Sequence, residues 1–432
     1  MPVSAPPNRT SATLTIDSLD EKNKVEPAIA APVSGNIFYG TYCPICRALI
    51  QQLTLHVARR VKSRQSLCRD VGSRPLNPMK MFVRSVATSV PPNRFTKAEC
   101  LAAFESSDWF GRLGRRSHII ARTVLQRDNG IDARRLAVDG LEEVFQIDPD
   151  TLSERFLRNA PLLASDAAVR AVERAGLLAA DIDAVIVSTC TGYLCPGLSG
   201  YVVERLGLRT DVQAYDLVGQ GCAAALPNMQ MGRALLLGGD CRHVLAVCVE
   251  VSSAAMYLDD DPGVLISACL FGDGAGAAVL SREPRPGGRS IAWADSTSLV
   301  VPEHRRALQF ESRAGMLRNI LTREVPGLAA ASALEVLNTV LDRARVTPSD
   351  VGTWIMHAGG RDVLQAIEAR FELRKPDLRY SAEMLREYGN LSSAFVYFVL
   401  QAALADDAAD GWWWLSSFGA GFSCHGALLK VG

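Results

Sequence analysis

Short apolar runs alternate with stretches of helical spacing from Met81 to the end of the chain. Short runs rich in β-branched residues are typical of strands buried on both faces. Such runs predict strands at 82–88, 182–188, 212–218, 244–251, 353–356, 412–416 and 426–431. The stretches between them predict helices at 97–104, 153–175, 202–206, 223–237, 331–344, 363–371 and 393–405. This alternation predicts an α/β fold with layers of helices around mostly buried strands.

A faint internal echo indicates two related halves. Phe271-Gly272 and Phe418-Gly419 each open a glycine-rich turn that runs into a predicted strand. The first turn lacks the Gly-Lys-Ser/Thr ending of a phosphate loop, so close backbone packing explains its glycines better. We assign residues 79–290 to an N-terminal half and residues 291–432 to a C-terminal half.

Residues 1–78 differ from the rest of the chain. They begin rich in Pro, Ser, Ala and Thr without a clear period, and we expect this extension to be disordered. Our hypothesis is that the functional protein begins near Met79. The lone Cys43-Pro44-Ile45-Cys46 lacks a second ligand pair at zinc-site spacing, because only His56 and Cys68 are near. No metal site is expected here.

The composition describes a globular protein without a charge bias. Of the 432 residues, 48% are hydrophobic and 21% charged, and the formal net charge is zero. These values predict a sizeable core and no general affinity for nucleic acid or anionic membranes. The 11 cysteines favour reduced thiols over a disulfide framework. Without a membrane-length apolar run or a signal-peptide core, we expect a cytoplasmic protein.

Cys222 lies where a predicted strand turns into a predicted helix. Gly219 and Gly221 supply a tight turn just before it. At a helix N-terminus the unpaired N–H groups and the macrodipole favour a thiolate, which is the nucleophilic form of cysteine. The alternative is a small buried residue at a tight junction, since free cysteine is often buried. This stretch alone leaves both interpretations open.

His357 and Asn390 each have an ordinary structural explanation when taken alone. His357 follows an apolar strand, where α/β folds place functional groups, but a satisfied core histidine fits as well. Asn390 precedes an apolar helix, and asparagine is a common N-cap. With Cys222 the two form a coherent set. A thiolate can attack a thioester carbonyl, while imidazole and amide N–H groups stabilise the oxygen that becomes negative.

At this point the chain resembles the type III polyketide synthases, the family of chalcone and stilbene synthases. Four stretches carry the resemblance: Gly221-Cys222-Ala223-Ala224, Leu270-Phe271-Gly272-Asp273-Gly274, Trp354-Ile355-Met356-His357-Ala358-Gly359-Gly360 and Glu387-Tyr388-Gly389-Asn390-Leu391-Ser392-Ser393-Ala394. A weaker match is Ser89-Val90-Pro91-Pro92-Asn93. The resemblance covers the chain from about Met81 onwards. It implies a thiolase-like layered αβαβα fold of two related halves.

The resemblance implies a role for each of the three residues. Cys222 would accept the starter acyl group from coenzyme A. His357 and Asn390 would hold the thioester oxygen of malonyl-CoA and stabilise the enolate that decarboxylation leaves, for a Claisen condensation. A protonated imidazole would also lower the pKa of the cysteine. Acyl-CoA and malonyl-CoA are the implied substrates of a homodimer, and no metal or redox cofactor is implied.

Further residues match positions that line the family's substrate cavity. Phe271 matches one of two gatekeeper phenylalanines, whereas the other falls at Asn319, which is not aromatic. The remaining matches to the cavity are Ser252, Ala255, Met256 and, within the fourth motif, Ser392. Cys195 falls where a side chain crosses the dimer interface into the neighbour's cavity, although an ordinary buried thiol explains it equally well.

The sequence says less about the substrates. Arg122 and Arg127 are candidates for binding coenzyme A phosphates, although a solvated basic face is the simpler explanation. Small residues at Ser252 and Ala255 and the non-aromatic Asn319 would leave room for an aliphatic chain. We therefore predict a fatty acyl-CoA starter that gives pyrones or resorcinols.

Two other interpretations stay open at this stage. A ketoacyl-carrier-protein synthase III or a hydroxymethylglutaryl-CoA synthase would also pair a cysteine with a histidine. The stretch from Tyr388 to Ser393 favours the polyketide synthase. A catalytically inactive scaffold is the third interpretation, and the intact Cys222, His357 and Asn390 argue against it.

Overall fold

The structure is a computed structural model, and it describes residues 80–432. The predictions for residues 1–78, including the Cys43–Cys46 pair and a functional start near Met79, lie outside the described residues. Within residues 80–432, no helix is long and apolar enough to cross a membrane.

Thirteen strands lie in the described residues. They are β1 (Met81–Ser89), β2 (Arg94–Thr96), β3 (Ala133–Arg135), β4 (Ala184–Ser188), β5 (Gln213–Asp216), β6 (His243–Glu250), β7 (Gly274–Ser281), β8 (Ile291–Val300), β9 (Leu308–Arg313), β10 (Met316–Leu321), β11 (Val351–Met356), β12 (Gly411–Gly419) and β13 (Ser423–Val431).

Eleven α-helices lie in the same part of the chain. They are α1 (Lys97–Ser106), α2 (Asp108–Gly111), α3 (Arg115–Gln126), α4 (Pro149–Arg174), α5 (Leu198–Leu206), α6 (Ala225–Gly238), α7 (Pro262–Leu270), α8 (Val325–Ala344), α9 (Arg361–Phe371), α10 (Arg379–Tyr388) and α11 (Phe395–Ala405). All the strands and helices predicted from the hydrophobic pattern are present. The pattern missed the short strands β2 and β3, the strand β8, the β9–β10 hairpin, and the helices α2, α3, α7 and α10.

Nine strands form one sheet in the order β11-β12-β13-β8-β1-β7-β6-β4-β5. In the first half, β1 pairs antiparallel with β7, β7 antiparallel with β6, and β6 parallel with β4. In the second half, β8 pairs antiparallel with β13, β13 antiparallel with β12, and β12 parallel with β11. The same pairing pattern occurs twice, as the echo between Phe271 and Phe418 predicted.

Helices cover both faces of the strands in layers. α4 packs on β1, β6 and β7 through a row of alanines, whose small side chains allow close approach. In the second half, α8 packs on β8 and β13. α6 and α11 each contact strands of both halves, and every residue of α11 from Phe395 to Leu400 is buried. These two helices therefore form a central layer, with Cys222 just before α6 and Asn390 just before α11.

Candidate active site

Cys222 lies in a short 3-10 turn, Gly221–Ala223, directly before α6. Gly221 has a φ of +55°, a conformation that glycine adopts without strain. The Phe418–Gly421 turn packs closely on the same segment, because a Cβ at Gly419 would lie 2.5 Å from the Ala223 nitrogen. Cys222 itself is buried, with 9% of its surface exposed. The predicted glycine-dependent turn is confirmed, and a second glycine turn holds it in place.

His357 follows β11 and is almost fully buried. Its ring meets Phe418 and Phe395 edge-on, with centroids 5.0 and 5.5 Å away. Neither ring nitrogen has a hydrogen-bond partner among the described residues. This is not the satisfied core histidine of the alternative explanation. Burial lowers the pKa of His357 to about 3, so its imidazole is neutral at physiological pH.

Asn390 is held by both its backbone and its side chain. Its N–H donates to the Leu270 carbonyl at 2.9 Å, and its carbonyl accepts from the Gly272 N–H at 3.0 Å. Its amide nitrogen donates to the Gly359 carbonyl at 3.2 Å, and its amide oxygen accepts from the Ser392 N–H at 2.8 Å. One amide hydrogen therefore stays available for a ligand.

The surroundings of Cys222 favour its protonated thiol over the thiolate. The pKa of Cys222 is raised to about 12, chiefly by burial; a hydrogen bond from Ser392 Oγ at 3.3 Å opposes this increase, and the Glu250 carboxylate adds to it. The expectation that a protonated imidazole lowers the cysteine pKa is wrong here, because burial keeps His357 neutral. The resting pair is a neutral thiol and a neutral imidazole.

The three predicted catalytic residues line one cavity. This outer cavity has a volume of about 580 Å³, and its wall includes Cys222, His357 and Asn390. Its lining also contains three arginines, Arg127, Arg323 and Arg361. The arrangement combines a nucleophile, N–H donors for an anionic oxygen, and cations suited to an anionic ligand.

A second, inner cavity opens on the other side of Cys222 and has a volume of about 50 Å³. Cys222, Phe271 and Leu308 line both cavities, so Phe271 lies between them, as its gatekeeper match implied. The other predicted cavity residues that line the inner cavity are Ser252, Ala255, Met256, Asn319 and Ser392.

The structure adds one residue to the inner cavity and removes one arginine candidate from the outer cavity. The sequence missed Phe310, which pairs with Asn319 across the β9–β10 hairpin and also lines the inner cavity. The inner cavity has space for only a few water molecules in this structure, which favours a short acyl group over the expected aliphatic chain. Arg122 lies outside both cavities, where it pairs with Glu105 at 2.6 Å, whereas Arg127 lines the outer one. Cys195 lines neither cavity and is exposed.

Comparison with known proteins gives the family. Residues 107–292 match the family described as FAE1/Type III polyketide synthase-like protein, and residues 294–431 match the C-terminal domain of chalcone and stilbene synthases. The chain belongs to the type III polyketide synthase family. It is therefore an acyltransferase-class enzyme of a family that uses acyl-CoA and malonyl-CoA.

Individual relatives agree with this assignment. The 1,3,6,8-tetrahydroxynaphthalene synthase of Streptomyces peucetius subsp. caesius is 29% identical over 353 residues, covering 81% of this chain and 92% of the relative. The crystal structure of PKS-I from the brown alga Ectocarpus siliculosus has a TM-score of 0.76 at 24% identity, covering 83% of this chain and 100% of its own. The tetrahydroxynaphthalene synthase of Streptomyces coelicolor A3(2) has a TM-score of 0.72 at 23% identity, with 81% and 99% covered. The two structures show a shared thiolase-type fold.

The synthase also contains a buried polar cluster that the sequence reasoning missed. Glu250, at the end of β6, is fully buried and accepts hydrogen bonds from the Cys190 N–H and Thr191 Oγ1, and Ser392 Oγ lies 3.3 Å from its carboxylate as well as from the Cys222 sulfur. Ser393 Oγ also donates to this carboxylate. Burial raises the pKa of Glu250. A polar residue at the carboxyl end of a buried strand was the signal for His357, and the same rule would have found Glu250.

Proposed function

We propose that this enzyme loads an acyl group from coenzyme A onto Cys222 and extends it repeatedly with malonyl-CoA. One observation carries the proposal: two cavities meet at Cys222, and the outer one also holds His357 and Asn390. The outer cavity suits an incoming thioester, and the inner cavity suits the growing chain. Phe271, which lines both, would separate the two functions.

Loading begins when the Cys222 sulfur attacks the acyl-CoA carbonyl. The proton of the thiol passes to the unpartnered imidazole of His357 and then to the departing coenzyme A sulfur, so the proton balance closes. Ser392 Oγ, which donates to the sulfur, would stabilise the developing charge.

Extension follows when malonyl-CoA occupies the outer cavity. Its carboxylate leaves as carbon dioxide, and the electron pair of the broken C–C bond forms an enolate. The free amide hydrogen of Asn390 and an N–H of His357 would hold the enolate oxygen. The enolate carbon then attacks the acyl-Cys222 carbonyl, the C–S bond breaks, and Cys222 is regenerated. Loss of carbon dioxide drives each step, so this chemistry calls for no metal or redox cofactor.

The cavity favours a short starter over the fatty acyl-CoA expected from the sequence. The inner cavity has a volume of about 50 Å³ in this structure and is lined by Phe310, so it fits a short acyl group on Cys222 and must widen as the chain grows. One relative is named for a fused aromatic product. We therefore propose a short acyl-CoA starter, with cyclisation to a pyrone, a resorcinol or a fused ring.

Three further features of the proposal concern binding, assembly and location. Arg127, Arg323 and Arg361 line the outer cavity and would bind the coenzyme A phosphates.

Cys195 is exposed beside Tyr193, which is 77% exposed, and this supports a homodimer in which Cys195 reaches the neighbouring subunit. Light scattering would test the dimer. The eight described cysteines are all free, which supports a cytoplasmic location.

The test of the reaction is a radiolabelled malonyl-CoA assay with acyl-CoA starters of increasing length. We expect Cys222-dependent polyketides from short starters and none from the Cys222→Ala variant. Phe310→Gly should extend the accepted starter length, and Phe310→Leu should give an intermediate result. If no starter yields product, a carrier-protein-dependent condensing enzyme or an inactive scaffold replaces the proposal. Preference for a fatty acyl-CoA in the native enzyme would overturn the short starter alone.

A further inference from the structure

A buried arginine lies beneath the point where the gatekeeper and Asn390 meet. Arg134, on the short strand β3, has 7% of its surface exposed. Its Nη1 donates to the Ala268 carbonyl at 2.7 Å and to the Phe271 carbonyl at 3.0 Å. Among residues 80–432, no carboxylate lies within ion-pair distance of this guanidinium. Burial lowers the pKa of this guanidinium, but the nearby Cys100, Cys269 and Asp273 raise it overall. The hydrogen bonds of the guanidinium nevertheless go to two backbone carbonyls, and this placement calls for an explanation.

The two carbonyls belong to Ala268, in the last turn of α7, and to Phe271, the C-cap residue that follows it. The last carbonyls of a helix have no hydrogen-bond donor within the helix. A cation placed there also interacts favourably with the negative end of the helix macrodipole. Arg134 therefore fixes the direction in which the chain leaves α7. The residue that follows α7 is Phe271, which lines both the outer and the inner cavity.

The same segment holds the backbone of Asn390. Phe271 and Asn390 form an isolated parallel bridge, in which Asn390 bonds to Leu270 and Gly272 on either side. Gly389 lets the arginine approach, because a Cβ there would lie 2.7 Å from the Leu270 carbonyl oxygen and 3.0 Å from Arg134 Cγ. The Arg134 side chain thus supports Phe271 directly and Asn390 through the bridge between Phe271 and Asn390.

We propose that Arg134 is a positioning residue that fixes Phe271 and Asn390 relative to Cys222 during condensation. This inference rests on the proposed function. Arg134 does not line the outer or the inner cavity, so it acts through the two residues it supports. Without the two hydrogen bonds from Arg134 Nη1, Asn390 would hold the enolate less well and the enolate would be misaligned with the acyl-enzyme, so decarboxylation would slow and condensation would slow more.

The test compares Arg134→Lys and Arg134→Met with matched variants of its neighbour, Arg135→Lys and Arg135→Met. Arg135 is on the same strand, but it donates to the Pro92 carbonyl at 2.7 Å and lines neither cavity. For Arg134→Lys we expect kcat to fall at least tenfold and KM for malonyl-CoA to change less than threefold. The ratio of carbon dioxide released to product formed should rise several-fold, with the alkylation rate of Cys222 unchanged.

Each outcome has a distinct meaning. Arg134 variants that match the Arg135 variants in kcat and in the carbon dioxide ratio would overturn the inference and leave the proposed function intact. A loss of kcat that only follows the loss of folded protein, measured by thermal melting, would also overturn it. If Arg134→Met does not fold, Arg134→Lys decides. Native enzyme that makes no polyketide would overturn the proposed function, and this inference with it.

Discussion

The hydroxyl of Ser392 should set how readily Cys222 ionises. Ser392 Oγ donates to the Cys222 sulfur at 3.3 Å, and this contact opposes the effect of burial, with a resulting thiol pKa of about 12. Hydrogen bonds to charged groups contribute about 1.5–3 kcal/mol. At 1.36 kcal/mol per unit, Ser392→Ala should raise the pKa of the thiol by about one to two units.

The expected rate follows from this shift. A weaker acid gives a more nucleophilic thiolate, which offsets roughly half of the lost thiolate fraction. Ser392→Ala should therefore slow the alkylation of Cys222 about 3- to 10-fold at pH 8. The assay is iodoacetamide labelling followed by mass spectrometry of the Cys222 peptide, with Cys222→Ala as the blank. In the native enzyme the rate should rise tenfold per pH unit up to pH 10, without a plateau.

Ser393→Ala is the matched control for this prediction. Ser393 Oγ donates to Glu250 and not to the sulfur, and its loss makes the carboxylate harder to ionise. Because the Glu250 charge raises the pKa of Cys222, this variant should label at the native rate or faster. Equal slowing in both variants would refute the reasoning. A native plateau below pH 9 would show instead that the thiol has already passed its proton to His357.

Two other predictions follow from burial and packing. Burial lowers the pKa of His357 to about 3, so the unfolded chain takes up a proton below pH 6.5 that the folded chain refuses. The free energy of unfolding therefore decreases as the pH is lowered through this window. Between pH 7 and 5, measured by urea unfolding, it should decrease by about 2 kcal/mol less in His357→Gln than in the native enzyme. Gly419→Ala should lower kcat at least tenfold, because the added Cβ would lie 2.5 Å from the Ala223 nitrogen. An unchanged kcat in this variant would show that the glycine turn can shift without displacing Cys222.

The hydrophobic pattern predicted the strands that are buried on both faces. β4 and β6 consist almost entirely of buried residues, so their apolar runs are uninterrupted. The same runs located His357 and Cys222, because both residues lie next to a predicted strand. Elements that lie partly in solvent gave no such signal. β9 carries Glu311 and Arg313 on its exposed end, so the hairpin that brings Phe310 into the inner cavity has no apolar run.

The protonation of the site could not be predicted from local sequence. The position of Cys222 before a helix indicated a lowered pKa, and the contribution of the macrodipole is about 1 kcal/mol. Burial raises the pKa of the thiol instead, and the size of this increase depends on every segment that packs around Cys222. Phe271, Ser392 and the turn at Gly419 come from distant parts of the chain. The sign of the shift is therefore a property of the assembled fold.

The repeated topology explains how distant segments come to share one site. α6 and α11 occupy equivalent places in the two halves, since each precedes the strand that pairs antiparallel with the last strand of its half. Each begins after a 3-10 turn, Gly221–Ala223 and Ser392–Ala394. Because both helices lie in the central layer, their N-termini meet at the Ser392–Cys222 hydrogen bond. The macrodipoles of both helices then favour the thiolate of Cys222. The duplicated fold therefore offsets part of the pKa increase that results from burying the thiol in a closed acyl-transfer site.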